Sequence, residues 1–406
     1  MDDKPSLSIS CEKTVRNKQI KVCIVSPIFN LLIGGPGRQA VAMAQQLIEK
    51  GVAVTVIARR LSGMENEQSG IAVHYVPTLS PYVYNLSDFS LQNFIISVSF
   101  ALGAMARLFK LRKRYEVVQF YSASLPLLVC LPLLKVMRKK VVAKTTGGRG
   151  GKEAGGLDDF FLRPLLVAVF RYTDKFIAVS KDILNRLLRE GFSEDKIINI
   201  PNGVDTEMFS PMPEMESEAL RKKFGFNEKK VFLYSGRLVE GKGLDLLVRA
   251  IKKVAGQSKD VLLVFIGSGD YQEKIADMAS SYGLEGFVRI EGTVDNVHEY
   301  LNASDIFVFP SLSEGMPNSL LEAMACGLPV IASKIGGVVD VVEDGRSAIL
   351  FEPGDISGLA SAMIRLLNDN ELRLRLGKEA RKRIVDSFSI DRIADEYIRL
   401  YERLLE

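Results

Sequence analysis

Histidine is nearly absent from this 406-residue chain, which has only His74 and His298. Cysteine is scarce as well: Cys11, Cys23, Cys130 and Cys326 are widely scattered and form no C-x-x-C pair. These two shortages argue against zinc chemistry and leave a disulfide framework without support. The thiols read as reduced and cytoplasmic. Long apolar runs are also lacking. The uncharged stretches 89–106 and 117–134 hold 18 residues each, near the minimum of roughly 17–20 for a membrane span. The first contains Gln92, Asn93 and three serines, and the second contains Pro126 and Pro132, so both are expected to be core elements. Residues 1–18 are polar and charged, unlike a signal or transit peptide, and are expected to form a loose tail.

What is present is enough apolar sequence for two cores. The length suits two domains, and 47% hydrophobic with 25% charged residues is the composition of a soluble globular protein. Charge is unevenly divided. Residues 1–205 carry 28 Lys/Arg against 17 Asp/Glu, a net +11, while 206–406 carry 25 against 32, a net −7. Either the first half faces something anionic, or its charges merely solvate helix faces. Two basic clusters stand out there: Arg107, Lys110, Arg112, Lys113 and Arg114, then Lys135, Arg138, Lys139 and Lys140. Each follows an apolar stretch, so an anionic membrane surface is a candidate partner. No nucleic-acid partner is expected.

Short apolar runs alternate with amphipathic stretches throughout, the pattern of parallel α/β architecture. KVCIVS (21–26) reads as a buried strand, followed by the Gly-rich turn IGGPGRQA (33–40), a helix to about Lys50, and a strand at 52–58. Strands are expected again at 116–122, 140–146 and 175–180. After INIPNGVD (198–205), the loop SPMPEMESE (210–218) looks like a domain junction, and the pattern restarts with VFLYS (231–235). Strands follow at 261–266, 287–290, 305–310 and 329–333, and residues 358–406 are expected to be largely helical, broken at Gly377 and Ser389. The expected division is a tail at 1–18, a first Rossmann-like domain at 19–208, a second at 219–386, and a terminal helix at 387–406 that packs back on the first. Ligands of such sheets bind beyond the strand C-termini, which places the site in a cleft between the domains.

The segment SEGMPNSLLEAMACGLPVIAS (313–333) carries the strongest chemical signal. Pro317 suits a first helical turn, and the backbone of Gly315, Met316, Asn318, Ser319 and Leu320 forms a turn into a helix N-terminus. There, orphan N–H groups and the helix dipole favour a phosphate. Glu314 lies ahead of that helix and Glu322 about one turn inside it, so two carboxylates can accept hydrogen bonds from different hydroxyls of one ligand. In YSGRLVEGKGLDLL (234–247), Arg237 follows a strand and Lys242 occupies a Gly-flanked turn. Arg can grip a diphosphate as a fork and Lys as a point charge. Gly34 and Gly35 in the first-domain turn allow close backbone approach to a phosphate. Gly267 and Gly269 in IGSGD (266–270), and Val294 in EGTV (291–294), sit in turns that can cradle a base or ribose; plain turns would look the same.

In order and spacing, IGGPGR, PNGVD, SGRLVEGKG, IGSGD, FPSLSEGMPNSLLEAMACGLPVIAS and FEPGD resemble glycosyltransferase family 4 over about residues 20–370. The resemblance implies a GT-B fold, α/β with two Rossmann-like domains whose parallel sheets face a central cleft. It also implies a nucleotide-diphosphate sugar as donor, held mainly by the second domain, and a saccharide or lipid-linked acceptor held mainly by the first. By resemblance, Arg237 and Lys242 bind the donor diphosphate, Glu314 contacts the transferred sugar, Glu322 binds the ribose hydroxyls, and Gly35 approaches the diphosphate. Transfer with retention follows from the same resemblance, in cell-surface polysaccharide or glycolipid synthesis. No D-x-D sequence occurs, so the metal-chelating signature of the other major glycosyltransferase fold is missing, and no cofactor or essential metal is expected. Where many relatives carry histidines, this chain has Gln119, Tyr121 and Thr146. With Arg38, and with Arg149 and Lys152 in the loop TTGGRGGKEAGG (145–156), these are acceptor-side candidates, although that loop could equally be solvated and ligand-free. A sugar-nucleotide epimerase, a glycoside phosphorylase or a non-catalytic nucleotide-sugar-binding protein would share the fold.

Overall fold

The computed structural model describes residues 19–30, 35–61, 67–68, 71–79, 91–147 and 163–406. Gly34, Arg149 and Lys152 lie outside them. The first half runs β1 (Lys21–Ser26), α1 (Gly35–Glu49), β2 (Ala53–Arg59), β3 (Glu67–Gln68), β4 (Ile71–Val76), α2 (Leu91–Lys110) and β5 (Val117–Phe120). It continues with α3 (Leu125–Val136), β6 (Lys140–Thr145), α4 (Arg163–Phe170), β7 (Lys175–Ala178), α5 (Lys181–Arg189) and β8 (Ile197–Asn199). The second half begins with α6 (Glu214–Phe224), β9 (Lys230–Ser235), α7 (Leu244–Ala255), β10 (Val261–Ile266), α8 (Gln272–Ser281), β11 (Val288–Gly292) and α9 (Val297–Asn302). There follow β12 (Ile306–Phe309), α10 (Asn318–Ala325), β13 (Val330–Ser333), α11 (Gly336–Val339), β14 (Ile349–Phe351), α12 (Ile356–Asn368), α13 (Asn370–Ser387) and α14 (Ile390–Leu405).

Two sheets result, ordered β3-β4-β2-β1-β5-β6-β7-β8 and β11-β10-β9-β12-β13-β14. Every pairing is parallel except that of β3 with β4. Parallel strands covered on both faces read as unbroken apolar runs, and β10, VLLVFI, is buried at every position. In each sheet the strand order reverses beside the first strand, between β1 and β5 and between β9 and β12. A crevice opens at such a switch point beyond the strand C-termini, so the loops after β1, β9 and β12 define the ligand region.

The C-terminal segment returns to the first domain. Its apolar stripe, Ile390, Ile393, Ala394, Tyr397, Leu400, Tyr401 and Leu404, is buried at the i, i+3, i+4 spacing of an amphipathic helix. It shares a core with Val41, Ala44 and Leu47 of α1. Lys50 Nζ fixes the helix start through Asp391 at 2.7 Å and Asp395 at 2.8 Å. Gly377 does not break the helices. It lies inside α13, where an added Cβ would come within 2.1 Å of the Gly327 carbonyl oxygen, so its role is close packing. The breaks fall, as expected, at Ser389, which caps α14, and at Asp369, whose side chain caps α13 by accepting from Leu372 N. Likewise α6 begins at Glu214, inside the segment expected to be a junction loop.

The stretch 117–134 divides into β5 and most of α3, a core strand and helix. The stretch before it departs from expectation. Helix α2 buries one face, Ile96, Phe100, Ala101, Ala104 and Leu108, and exposes Leu91, Phe94, Ile95, Leu102 and Phe109 on the other. Among the described residues it is the one helix long and apolar enough to cross a membrane, with 28% of its apolar window buried. Sequence periodicity alone does not reveal that only one of its faces is buried.

Candidate active site

The loops after β9, β10, β11 and β12 gather at one edge of the second sheet. Backbone bonds join the first three: Gly236 N donates to Ile266 O at 3.0 Å, Leu238 N to Ser268 O at 2.9 Å, and Gly267 N to Gly292 O at 2.7 Å. The Ser268 and Thr293 hydroxyls meet at 3.0 Å. Gly267 is required by this stitching: its φ is +128°, and a Cβ would lie 1.9 Å from Gly236 O. Gly269 is equally tight, 2.2 Å from Leu238 O. Packing between neighbouring loops therefore accounts for both glycines without a ligand. Val294, half-buried, follows on the β11 side.

Glu314 lies at the switch point itself, in the loop between β12 and α10. Its Oε1 accepts from Lys242 Nζ at 2.7 Å and from Ser311 Oγ at 3.1 Å. The Lys242 and Glu314 side chains are 11% and 14% exposed, so this ion pair is largely out of water. Away from bulk solvent, such a pair is weakly screened and electrostatically strong. Arg237 stands just beyond the end of β9; desolvation by surrounding protein lowers its pKa, against the opposing charges of Glu314 and Asp270. The Tyr234 hydroxyl donates to the Arg237 carbonyl at 3.1 Å, and burial raises that phenol's pKa so that it stays a neutral donor.

Helix α10 starts at Asn318, with Pro317 one place earlier than expected, as an extended N-cap at φ −80° and ψ 118°. With Pro317 outside the helix, the amides of Asn318, Ser319 and Leu320 have no intrahelical acceptor and form the positive end of the dipole. Glu322, on the same helix, is 6% exposed, and its Oε2 has no hydrogen-bond partner.

The first domain meets this edge at several points. Asn318 Nδ2 donates to Gly35 O at 3.0 Å, bringing the N-termini of α1 and α10 together. Gly315 packs on Thr146: a Cβ at 315 would lie 1.9 Å from the Thr146 carbonyl oxygen. Lys181 N donates to Asp340 Oδ2 at 2.6 Å. Asn202, which carried no functional reading in the sequence, bridges the domains by donating to Met316 O at 3.2 Å and Asn318 Oδ1 at 2.9 Å. The only signal for it was its place in the PNG turn that leaves β8.

The structure encloses two of the acceptor-side candidates and turns a third towards the second domain. Arg38 faces the second domain, with Nη1 3.6 Å from Glu322 Oε1. Gln119 and Tyr121 are 0% and 3% exposed, because alternate residues of a strand share a face and theirs is covered by α14. Gln119 accepts a hydrogen bond from the Tyr401 hydroxyl. Beside them Lys144 is fully buried, its Nζ 5.2 Å and 5.8 Å from the ring centroids of Tyr121 and Tyr397. Thr146 remains at the cleft, half-buried. Among the described residues no three His, Cys, Asp or Glu side chains group to hold a metal ion.

Comparison with known proteins agrees with this fold. Residues 33–208 match the family model described as Glycosyltransferase Family 4, and residues 216–383 the one described as Glycosyl transferases group 1. The chain is 25% identical over 374 residues to the N-acetyl-alpha-D-glucosaminyl L-malate synthase of Bacillus anthracis, covering 92% of this chain and 95% of that one. It is 28% identical over 253 residues to the lipopolysaccharide core biosynthesis glycosyltransferase LpsE of Rhizobium meliloti, covering 62% and 70%. The crystal structure of Anabaena HepE in complex with UDP and glucose superposes with a TM-score of 0.78, at 18% identity, over 95% of this chain and all of that one. That likeness is one of fold.

Proposed function

The chain belongs to the family 4 glycosyltransferases of GT-B fold, and from that premise we propose a retaining enzyme whose second domain holds a nucleotide-diphosphate sugar. The observation that carries this reading is the buried Lys242–Glu314 pair, set beside Arg237 and the α10 N-terminus at the switch point of the second sheet. Arg237, Lys242 and the free α10 amides stabilise the negative charge that grows on the leaving diphosphate. Glu314 positions the transferred sugar through its hydroxyls, and Glu322 takes the ribose. In front-face substitution, the acceptor hydroxyl attacks on the side that the diphosphate leaves. A donor phosphate oxygen takes the acceptor proton, so neither a protein nucleophile nor a metal is needed.

The acceptor is a saccharide or a lipid-linked saccharide of cell-surface polysaccharide or glycolipid synthesis. Relatives named for lipopolysaccharide core and capsular polysaccharide synthesis support that class. Thr146 is the remaining acceptor-side candidate among the described residues. The enzyme works in the cytoplasm, which suits the buried free thiols of Cys23, Cys130 and Cys326, and it binds the inner face of the membrane peripherally. The exposed apolar face of α2 supports this, together with Arg107, Lys110 and Arg114, which lie close enough to His74 to add to its burial in lowering its pKa.

Incubation with a panel of nucleotide-diphosphate sugars and candidate acceptors, with the product's anomeric configuration read by NMR, tests the proposal. Transfer with retention, unaffected by a chelator, is the expected outcome. Inversion removes the retaining mechanism. Tight nucleotide-sugar binding without any turnover would favour a non-catalytic binding protein.

A further inference from the structure

Glu322 is held from the opposite domain. One of its carboxylate oxygens, Oε1, lies 3.6 Å from Arg38 Nη1, while the other, Oε2, is buried without a partner. The side chains of Arg38 and Glu322 are 33% and 8% exposed, so the carboxylate is enclosed while the guanidinium is partly open to solvent. A buried carboxylate oxygen left without a donor is costly, and a ligand hydroxyl is the group that would relieve it. Arg38 stands in the first turn of α1, just beyond the point where Gly35 O accepts from Asn318 Nδ2. The same contact that brings the two helix N-termini together therefore carries Arg38 to Glu322.

We infer that Arg38 is a positioning residue for nucleotide recognition: it orients Glu322 through Oε1, so that Oε2 faces the ribose diol. The inference rests on the reading of Glu322 as the ribose contact. Arg38 meets Glu322 through the single Nη1–Oε1 approach, so a point charge at the same place is expected to substitute for it in part. Its effect should therefore appear as discrimination between nucleotides with and without ribose hydroxyls, rather than as general affinity for diphosphate.

Calorimetry on the full chain reads this directly. Whichever of UDP, GDP and ADP binds most tightly is compared with its 2′,3′-dideoxy form. The wild-type ratio of affinities is expected to be about 10–100-fold, the scale of a charge-assisted hydrogen bond. Glu322→Ala should abolish the ratio, Arg38→Ala should reduce it about tenfold, and Arg38→Lys should restore part of it. If Glu322→Ala abolishes the ratio while Arg38→Ala leaves it at the wild-type value, the inference is overturned and the ribose reading stands. It is overturned in the same way if Arg38→Ala weakens both nucleotides equally, the signature of a merely structural role. If Glu322→Ala leaves the ratio intact, or no nucleotide binds, the ribose reading fails and takes the inference with it.

Discussion

Lys242 donates to Glu314 at 2.7 Å, so the cation assigned to the diphosphate is already paired with the carboxylate assigned to the sugar. Removing the carboxylate leaves Lys242 more available to phosphate. Glu314→Ala should therefore bind a bare nucleoside diphosphate at least as tightly as the wild type, while transfer falls on the order of 100-fold through loss of positioning. Calorimetry alongside turnover checks both halves; a large loss of nucleotide affinity would show that the roles are wrongly divided.

The two cations are expected to matter most in the transition state. Arg237→Ala and Lys242→Ala should each lower turnover about 100-fold or more at saturating donor, the scale of removing a principal electrostatic stabiliser. Near-normal turnover in both variants would refute the diphosphate assignment.

Gly315 tests the domain contact. A methyl there would overlap the Thr146 carbonyl, 1.9 Å from the Cβ position, and must push the two domains apart. Displacement of about 1 Å at a reacting centre can lower rate on the order of 100-fold. Gly315→Ala should show that loss while its thermal midpoint stays within a few degrees of the wild type, as the contact joins domains rather than filling a core. Full activity in this variant would mean that the contact is not made during turnover.

Lys144 predicts a pH dependence of stability. Burial lowers its pKa to about 7, below the roughly 10.4 of an unfolded lysine. Between those values the unfolded state binds the extra proton, so stability rises with pH across that window and falls as pH drops towards about 7. Lys144→Met should remove this dependence. Thermal unfolding from pH 6 to pH 9 should then rise less steeply in the variant; identical slopes would show that the amine does not titrate in that range.

Membrane binding is tested by vesicle flotation. A polybasic segment gains about 1 kcal/mol per charge near anionic lipid, and apolar side chains on the same helix add to it. The protein should float with anionic vesicles in low salt and progressively less as salt rises, since charges are screened over about 8 Å at physiological ionic strength. Leu102→Glu, on the exposed face of α2, should weaken flotation without lowering the thermal midpoint. Failure to float even in low salt would make a soluble acceptor the better assignment.

Much of the architecture was legible in the chain because it depends on neighbours in sequence. Apolar runs bounded by turn residues predicted β1 and β10 to the residue, since a strand buried on both faces must be apolar throughout. Arg237, Lys242, Glu314 and Glu322 could be placed on their strand end, turns and helix because each lies within a few residues of its own boundary signal. The same reasoning failed where a distant segment decides the environment. Gln119 and Tyr121 end a strand in the usual place for ligand contacts, but α14, some 280 residues away, covers them through Tyr401. Gly377 reads as a helix breaker until the Gly327 carbonyl is seen to occupy its missing Cβ space. Arg38 looked free for the acceptor, and only domain approach brings it to Glu322. Local pattern determined the elements and the chemical character of their ends; the packing of one domain on the other decided which of those ends lie together, because burial and electrostatic pairing depend on distance in space rather than along the chain.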